Sequence, residues 1–315
     1  MFSSDNAPSV SPRSATSKSK VLLAHVGALF ATLVWGLSFV STKVLTDYEL
    51  HPIEIYLYRF ALAYLILLMI CNKKIFSYSL RDELLFVVLG LTGGSLYFIA
   101  ENIAVTRTLV ANVSLLTSLT PIITVFLVGC IYKSERPSKW IVVGSMIAIV
   151  GVAFVVLGGS SGSIEVHPLG DMLALAAAFS FSIYSLVLKK INANYSTLFI
   201  TRKTFFYGIL TALPFLALEP SHAPLGVLCN AKVLVNILFL GLFCSLMGFA
   251  LMAQAVKVIG PVKANSYLYG QPIVTLLAGL FILHQSVGWT GWTGCALIIG
   301  GLWLGEELTR RFSKK

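Results

Sequence analysis

The strongest constraint on this chain is a weak internal repeat laid over a row of apolar segments. Residues 21–157 reappear as residues 170–307, and each copy holds about five stretches long enough to cross a bilayer. An odd number of crossings turns the second copy over relative to the membrane. Composition agrees: 57% of residues are hydrophobic and 11% charged, where a soluble domain has about a quarter charged. The expected fold is an all-α integral membrane protein with ten transmembrane helices in two inverted-topology five-helix repeats. Such a bundle uses most of the 315 residues and leaves no room for a separate soluble domain.

The repeat rests on particular residues. Trp35-Gly36-Leu37-Ser38 aligns with Phe179-Ser180-Phe181-Ser182, and Arg59 with Arg202. Gly90-Leu91 meets Gly241-Leu242, Ala104-Val105 meets Ala255-Val256, and Pro121-Ile122 meets Pro272-Ile273. Glu135, Gly144 and Gly151 meet Gln285, Gly294 and Gly301. The register drifts by only a few residues along each copy, which chance matches in apolar sequence would not do.

The first 20 residues are rich in Ser and Pro without apolar periodicity, and are expected to be a disordered cytoplasmic tail. Val21 to Leu45 is too long for the apolar core of a cleaved signal and is expected to be a retained helix. Later spans are expected to begin near Pro52, Glu83, Leu109, Trp140, Gly170, Ser196, Val233, Pro261 and Val287. Residues 158–169 read as an external linker, flexible in composition and free of basic residues, and residues 308–315 as a basic cytoplasmic tail. The linker matches G-x-S-x-G at residues 158–162. It lacks the strand-to-helix elbow, acid and histidine that a nucleophilic serine needs, so no enzyme is inferred. The cysteines 71, 130, 229, 244 and 295 show no C-x-x-C spacing, and neither metal nor cofactor is expected.

Basic residues orient the chain. With the amino terminus cytoplasmic, alternate crossings place Lys73, Lys74, Arg81, Lys133, Arg136, Lys139, Lys189, Lys190, Lys257 and Lys263 inside, together with both basic ends. Only Arg107 and Lys232 fall on the opposite face, while Lys43, Arg59, Arg202 and Lys203 fall within spans. The net charge of +10 therefore reflects topology and not nucleic-acid binding. Both termini are expected in the cytoplasm of a multi-pass protein of the cell membrane. The loop bearing Lys73, Lys74 and Arg81 corresponds to residues 217–232, whose charges are Glu219 and Lys232. Related helices are thus joined by loops of opposite character, as inversion requires.

Trp35-Gly36 in the first helix, Arg59 in the second, Pro121 followed by Glu135-Arg136, and Gly170-Asp171 opening the second half resemble the EamA family of the drug/metabolite transporter superfamily. The resemblance covers the chain apart from its tails. It implies two inverted halves around a central cavity, in proteins that export amino acids or other small metabolites. The second copy departs from the pattern, with Phe179 in place of tryptophan and Gln285 where the family often has glutamate.

Polar side chains in hydrocarbon must face the bundle interior, a cavity or a partner. Counting about 1.5 Å per residue from Glu83 puts Tyr97 and Glu101 roughly 20 and 27 Å along their helix, in the outer half and on one face. Arg59, on the descending second helix, reaches a similar depth, so an Arg59–Glu101 pair is geometrically allowed. That pair is read either as structural or as handling substrate or protons. Arg202 and Lys203 are expected to snorkel toward the cytoplasm. Trp35, Ser38, Ser118, Tyr184, Tyr269 and Gln271 lie nearer the midplane. Ser114 with Ser118, and Tyr267 with Gln271, form polar stripes that either bridge helices or line a cavity. Pro121 and Pro272 remove a backbone donor and kink their helices. The glycines of the fifth and tenth helices read as close-packing surfaces, within the bundle or as a homodimer face.

The candidate substrate-binding residues are therefore Trp35, Ser38, Arg59, Tyr97, Glu101, Ser118, Tyr184, Tyr267, Tyr269 and Gln271. The expected function is secondary transport, outward, of a small metabolite such as an amino acid, by alternating access in the bilayer, with protons as the candidate coupling ion. The rival readings are exchange of a nucleotide sugar or phosphorylated metabolite, which would need a cationic cavity, and a non-transporting membrane scaffold.

Overall fold

Helix starts in this chain are written by local chemistry. Pro52 occupies the first turn of its helix, with the His51 side chain accepting from the Ile53 N–H and Glu54 accepting from the His51 N–H at 2.9 Å. Ser79 accepts from Asp82 N–H at 3.1 Å and Asn230 from Lys232 N–H at 2.9 Å, each opening a helix. The computed structural model describes residues 18–71, 76–108, 110–132, 137–159, 167–192, 194–217, 223–282 and 288–312. Among them the order is α1 (Lys18–Asp47), α2 (Pro52–Ile70), α3 (Leu80–Gly90), α4 (Leu96–Arg107), α5 (Val110–Thr117), α6 (Thr120–Ile131) and α7 (Lys139–Gly159). Then come α8 (Pro168–Ile191), α9 (Thr197–Ala217), α10 (Ala231–Leu238), α11 (Gly248–Ser266), α12 (Gln271–Ile282) and α13 (Trp289–Phe312). A π turn, Leu91–Ser95, joins α3 to α4, and another, Phe239–Met247, joins α10 to α11. A 3₁₀ turn, Tyr267–Gly270, leads into α12.

Packing follows the repeat. α1 lies on α11 as α4 lies on α8, α2 lies on the second π turn as α9 lies on the first, and α7 and α13 pack on each other. Directions can be read from the contacts. A Cβ at Gly144 would meet the Gly301 carbonyl at 2.4 Å, and one at Gly151 the Gly294 carbonyl at 2.7 Å, so α7 and α13 run antiparallel with backbones touching. Tyr56 lies at Gly208 and Phe60 at Phe205, which makes α2 and α9 antiparallel as well. The π turns are tied alike. Trp35 Nε1 donates to the Cys244 carbonyl at 2.8 Å, and Ser180 Oγ to the Thr92 carbonyl at 2.8 Å. In both cases the first helix of one half supports the third helix of the other.

Among the described residues, six helical stretches are long and apolar enough to cross a membrane: Lys18–Asp47, Pro52–Ile70, Leu80–Arg107, Val113–Ile131, Pro168–Ile191 and Ala231–Ala278. The last contains two of the expected spans. Gly27 meets Leu251 and Gly248 meets Trp35, so α11 is antiparallel to α1; His25 meets Tyr267 and Thr32 meets Gly270, so α12 is parallel to it. The chain reverses at Gly260, whose φ of 82° suits only glycine comfortably, and Pro261 restarts the helix. The Lys139–Phe154 part of α7 is a shorter apolar helix. α9 carries Arg202 and Lys203, and α13 ends in a run of charges, so neither counts among the six.

Three boundaries differ from expectation. Lys18 to Lys20 are helical and open α1, so the tail assigned to residues 1–20 keeps only residues outside the described set. Gly158 and Gly159 close α7, Pro168 and Leu169 open α8, and the middle of the expected linker lies outside the described residues. Residues 308–312 extend α13, where Glu307 pairs with Arg310 and Arg311 one turn on. Glu135 and Gln285 also lie outside the described residues.

Lys203 does not snorkel. It is buried and donates to Glu83 Oε1, which also accepts from Tyr207. Arg202 is buried too, with its guanidinium 5.2 Å from the centre of the Phe199 ring.

Candidate functional site

A cavity lies where the two halves meet. Trp35 and Ser38 of α1, Tyr97, Phe98 and Glu101 of α4, Thr117 closing α5, Thr120 opening α6, Phe181 of α8, Phe249 of α11, Leu268 and Gln271 line it. It encloses about 380 Å³ up to its open side, yet little of it is as wide as a water molecule. In this state it has room for little more than one water, far below the roughly 300 Å³ at which small-molecule sites begin. The shape is therefore that of a nearly closed site, which side chains must open to admit a solute.

Each wall has a local cause. α5 and α6 part at Ser118 and Leu119, just before Pro121, which lacks an N–H and sits in the first turn of α6. Pro272 enters α12 after the 3₁₀ turn in the same way. The breaks leave Thr117, Thr120, Leu268 and Gln271 at helix ends beside the cavity. In α4, Tyr97 and Glu101 share a face one turn apart, and the Tyr97 hydroxyl donates to Glu101 Oε1 at 2.7 Å. Glu101 is only 6% exposed. Trp35 stands between Phe181 and Phe249, 5.7 and 5.6 Å from their ring centres and steeply inclined to both.

Of the candidate residues named from sequence, Trp35, Ser38, Tyr97, Glu101 and Gln271 are brought together at the cavity. The others go elsewhere. Arg59 is 1% exposed and lies against the Phe98 ring, 4.5 Å from its centre, donating from Nε to Ser245 Oγ at 2.9 Å. It makes no ion pair with Glu101, because Glu101 is engaged by Tyr97 while Arg59 approaches from behind Phe98. One guanidinium nitrogen, Nη2, is buried without a hydrogen bond. Ser118 returns its proton to the Ser114 carbonyl at 2.6 Å, while the Ser114 hydroxyl is buried without a hydrogen bond. Tyr184 is packed against Phe181 and Phe249 in the space that Gly93 leaves. Tyr269 is buried with Ala148, Val152 and Ile298 between α7 and α13. Tyr267 turns away and meets His25 Nδ1 at 2.8 Å in a different cavity, near Lys263, Glu306 and Arg310.

Sequence reasoning missed Phe98, Thr117, Thr120, Phe181, Phe249 and Leu268. The repeat held the signal for most of them. At the register that pairs Ala104 with Ala255, Phe98 pairs with Phe249, Thr117 with Leu268 and Thr120 with Gln271, and all six line the cavity. Polar character alone passed over them, whereas repeat-related position picks out these three pairs.

Comparison with known proteins adds a lineage to this geometry. The model of the EamA-like transporter family matches twice, over residues 22–157 and 168–305. An uncharacterized transporter of Archaeoglobus fulgidus is 25% identical over 286 residues, covering 89% of this chain and 96% of its own. An uncharacterized inner membrane transporter of Salmonella typhimurium is 22% identical, covering 91% and 96%. A solved crystal structure of a protein 18% identical superposes with a TM-score of 0.74 over 94% of this chain and 99% of that one, a likeness of fold.

Proposed function

The chain belongs to the EamA-like transporter family, and on that premise we propose that it is a secondary transporter exporting a small organic solute across the cell membrane through the cavity between its halves. The observation that carries this reading is the convergence of repeat-related positions from both halves on one nearly closed cavity. A site at a repeat interface is exposed alternately to each side when the halves rock against each other. Antiparallel packing of α7 on α13 and of α2 on α9 supports inverted halves. Counting α7, α9 and α13 with the six more apolar stretches, and dividing the last at Gly260, gives ten crossings. The excess of basic residues on one face favours cytoplasmic termini.

A phosphorylated substrate is disfavoured, because among the described residues no Lys or Arg lines the cavity. A scaffold would have no use for a buried carboxylate beside empty space. The test is uptake by proteoliposomes of a panel of small metabolites, alongside Gln271→Leu. That substitution changes volume little and removes a hydrogen-bonding group, so apparent affinity should fall by about 1–3 kcal/mol while folded protein is retained. Loss of folded protein with unchanged affinity in the remainder would reduce the cavity to packing. For topology, a cysteine at Ser161 should react with an impermeant thiol reagent in intact cells and one at Ser77 should not. Labelling of both from one side would defeat the inversion.

A further inference from the structure

The cavity's hydrogen-bonding polarity is one-sided. Ser38 Oγ donates to the Trp35 carbonyl at 2.7 Å, Thr117 Oγ1 to the Val113 carbonyl at 2.8 Å, and Thr120 Oγ1 to the Thr117 carbonyl at 2.7 Å. Each hydroxyl has given its proton to a nearby backbone carbonyl, so what remains for a guest is an oxygen lone pair. Trp35 has likewise spent its N–H on Cys244, leaving the indole ring. The Tyr97 hydroxyl proton goes to Glu101 Oε1, and among the described residues Oε2 accepts nothing. Only Gln271 brings donors as well as an acceptor. Arg59, the cation nearest this region, is absent from the lining and rests on Phe98.

A site rich in acceptors and aromatic rings, with one carboxylate and no lining cation, is complementary to a positive charge. We propose that the cavity selects a protonated primary amine carried on a compact apolar or aromatic body, in preference to an anion or a zwitterion. An ammonium brings three N–H donors to Glu101 Oε2 and the hydroxyl oxygens. The rings of Trp35, Tyr97, Phe98, Phe181 and Phe249 offer cation–π contact and cover the apolar body. A carboxylate in the same place would face Glu101 and the spent hydroxyls with Gln271 as its only donor. This inference rests on the cavity being the transport site and narrows the solute that site takes.

The probes are 2-phenylethylamine, 3-phenylpropionate and phenylalanine, which share a ring and differ in charge. In proteoliposomes the amine should enter at least tenfold faster than either of the others, and Glu101→Gln should abolish that preference. Entry of the anion or the zwitterion at an equal or higher rate would overturn the inference while leaving the cavity a transport site. If none of the three enters, a second measurement decides. Ser38→Cys, in a protein stripped of its five native cysteines, is reacted with a cationic and an anionic methanethiosulfonate, each rate being divided by that with a free thiol. A cationic preference of at least tenfold that vanishes in Glu101→Gln supports the inference, and an absent or reversed preference overturns it. A cysteine reached by neither reagent in cooperatively folded protein would remove the transport-site reading itself, and the inference with it.

Discussion

The two halves share three cavity positions, with Phe98, Thr117 and Thr120 matched by Phe249, Leu268 and Gln271, but supply different chemistry. Phe98 and Phe249 face each other with ring centres 6.0 Å apart, and Thr120 and Gln271 stand at matching helix starts. Tyr97 and Glu101, however, occupy positions where the second half has Gly248 and Met252. Backbone and apolar shape are shared, while the acid comes from one half only. A duplicated scaffold needs symmetry to rock, since both ends must close by similar contacts. A bound solute needs no symmetry, and a second acid at Met252 would place like charges together in a low dielectric.

The largest effect should come from the other charged asymmetry. Arg59 and Arg202 align in the repeat, yet only the second half follows its arginine with a lysine, Lys203, that reaches Glu83 across the halves. Lys203→Met would take the counter-charge from the carboxylate and leave it with the Tyr207 hydroxyl and the Ser77 N–H. Breaking a buried pair costs about 3–5 kcal/mol, and here about 3 kcal/mol is expected because Glu83 keeps a fifth of its side chain exposed. Thermal or denaturant unfolding in detergent should show it, and Glu83→Gln added to Lys203→Met should recover most of the loss. A Lys203→Met protein as stable as the parent would show that the pair contributes nothing.

Next come the π turns, where matched backbones again carry different residues. Gly93 aligns with Cys244. A Cβ at Gly93 would lie 2.3 Å from the Tyr184 ring, whereas Cys244 fits its place with Sγ 3.3 Å from the Val34 carbonyl. Gly93→Ala should therefore destabilise by about 2 kcal/mol through overpacking, and Cys244→Ala by about 1 kcal/mol through a lost buried group. The order of the two midpoints checks the comparison, and equal midpoints would mean that Tyr184 moves aside freely.

Much of the fold was legible in the sequence because hydropathy, loop charge and proline position act locally. The reversal at Gly260 sat beside Pro261, where a new span was expected to start. Merging of helical turns across that bend is a matter of one residue's φ, which hydropathy does not register. Site residues were harder to read. Tyr97 and Glu101 announced themselves by i,i+4 spacing, but Tyr267 and Gln271 have the same spacing and part company because a 3₁₀ turn, with about three residues per turn, separates their directions. Ser118 and Arg59 lie off the cavity lining because a polar side chain can turn to its own helix or to an aromatic face, and sequence alone does not say which. Phe98 and Phe249 were overlooked as ordinary membrane aromatics.

The acid itself gives a more modest but more specific effect. Glu101→Gln keeps size and shape and removes the charge and the titratable proton, so transport should fall at least tenfold, about 1.4 kcal/mol in the limiting step, with little change in unfolding. Met252→Gln at the matched position should do less, because no tyrosine awaits it there. If Arg59 senses Glu101 across Phe98, Arg59→Ala combined with Glu101→Gln should be less harmful than additive. Additive losses would make the two residues independent, and normal transport by Glu101→Gln would assign the acid a structural role.

The smallest effect is expected from Tyr184→Phe, and it tests where the cavity ends. Tyr184 is buried against Phe181 and Phe249, which are wall residues, but is not itself part of the wall. Its ring fills the space over Gly93, so shape matters there more than the hydroxyl. Tyr184→Phe keeps the ring, and affinity for a transported solute should stay within about twofold, roughly 0.4 kcal/mol. Tyr184→Ala removes the ring and should cost about 3 kcal/mol in stability. Concentration-dependent uptake and unfolding midpoints measured on both proteins separate the two roles. A tenfold affinity change in Tyr184→Phe at unaltered stability would mean that the hydroxyl reaches the solute, and that the cavity extends along α8 past Phe181 when the site opens.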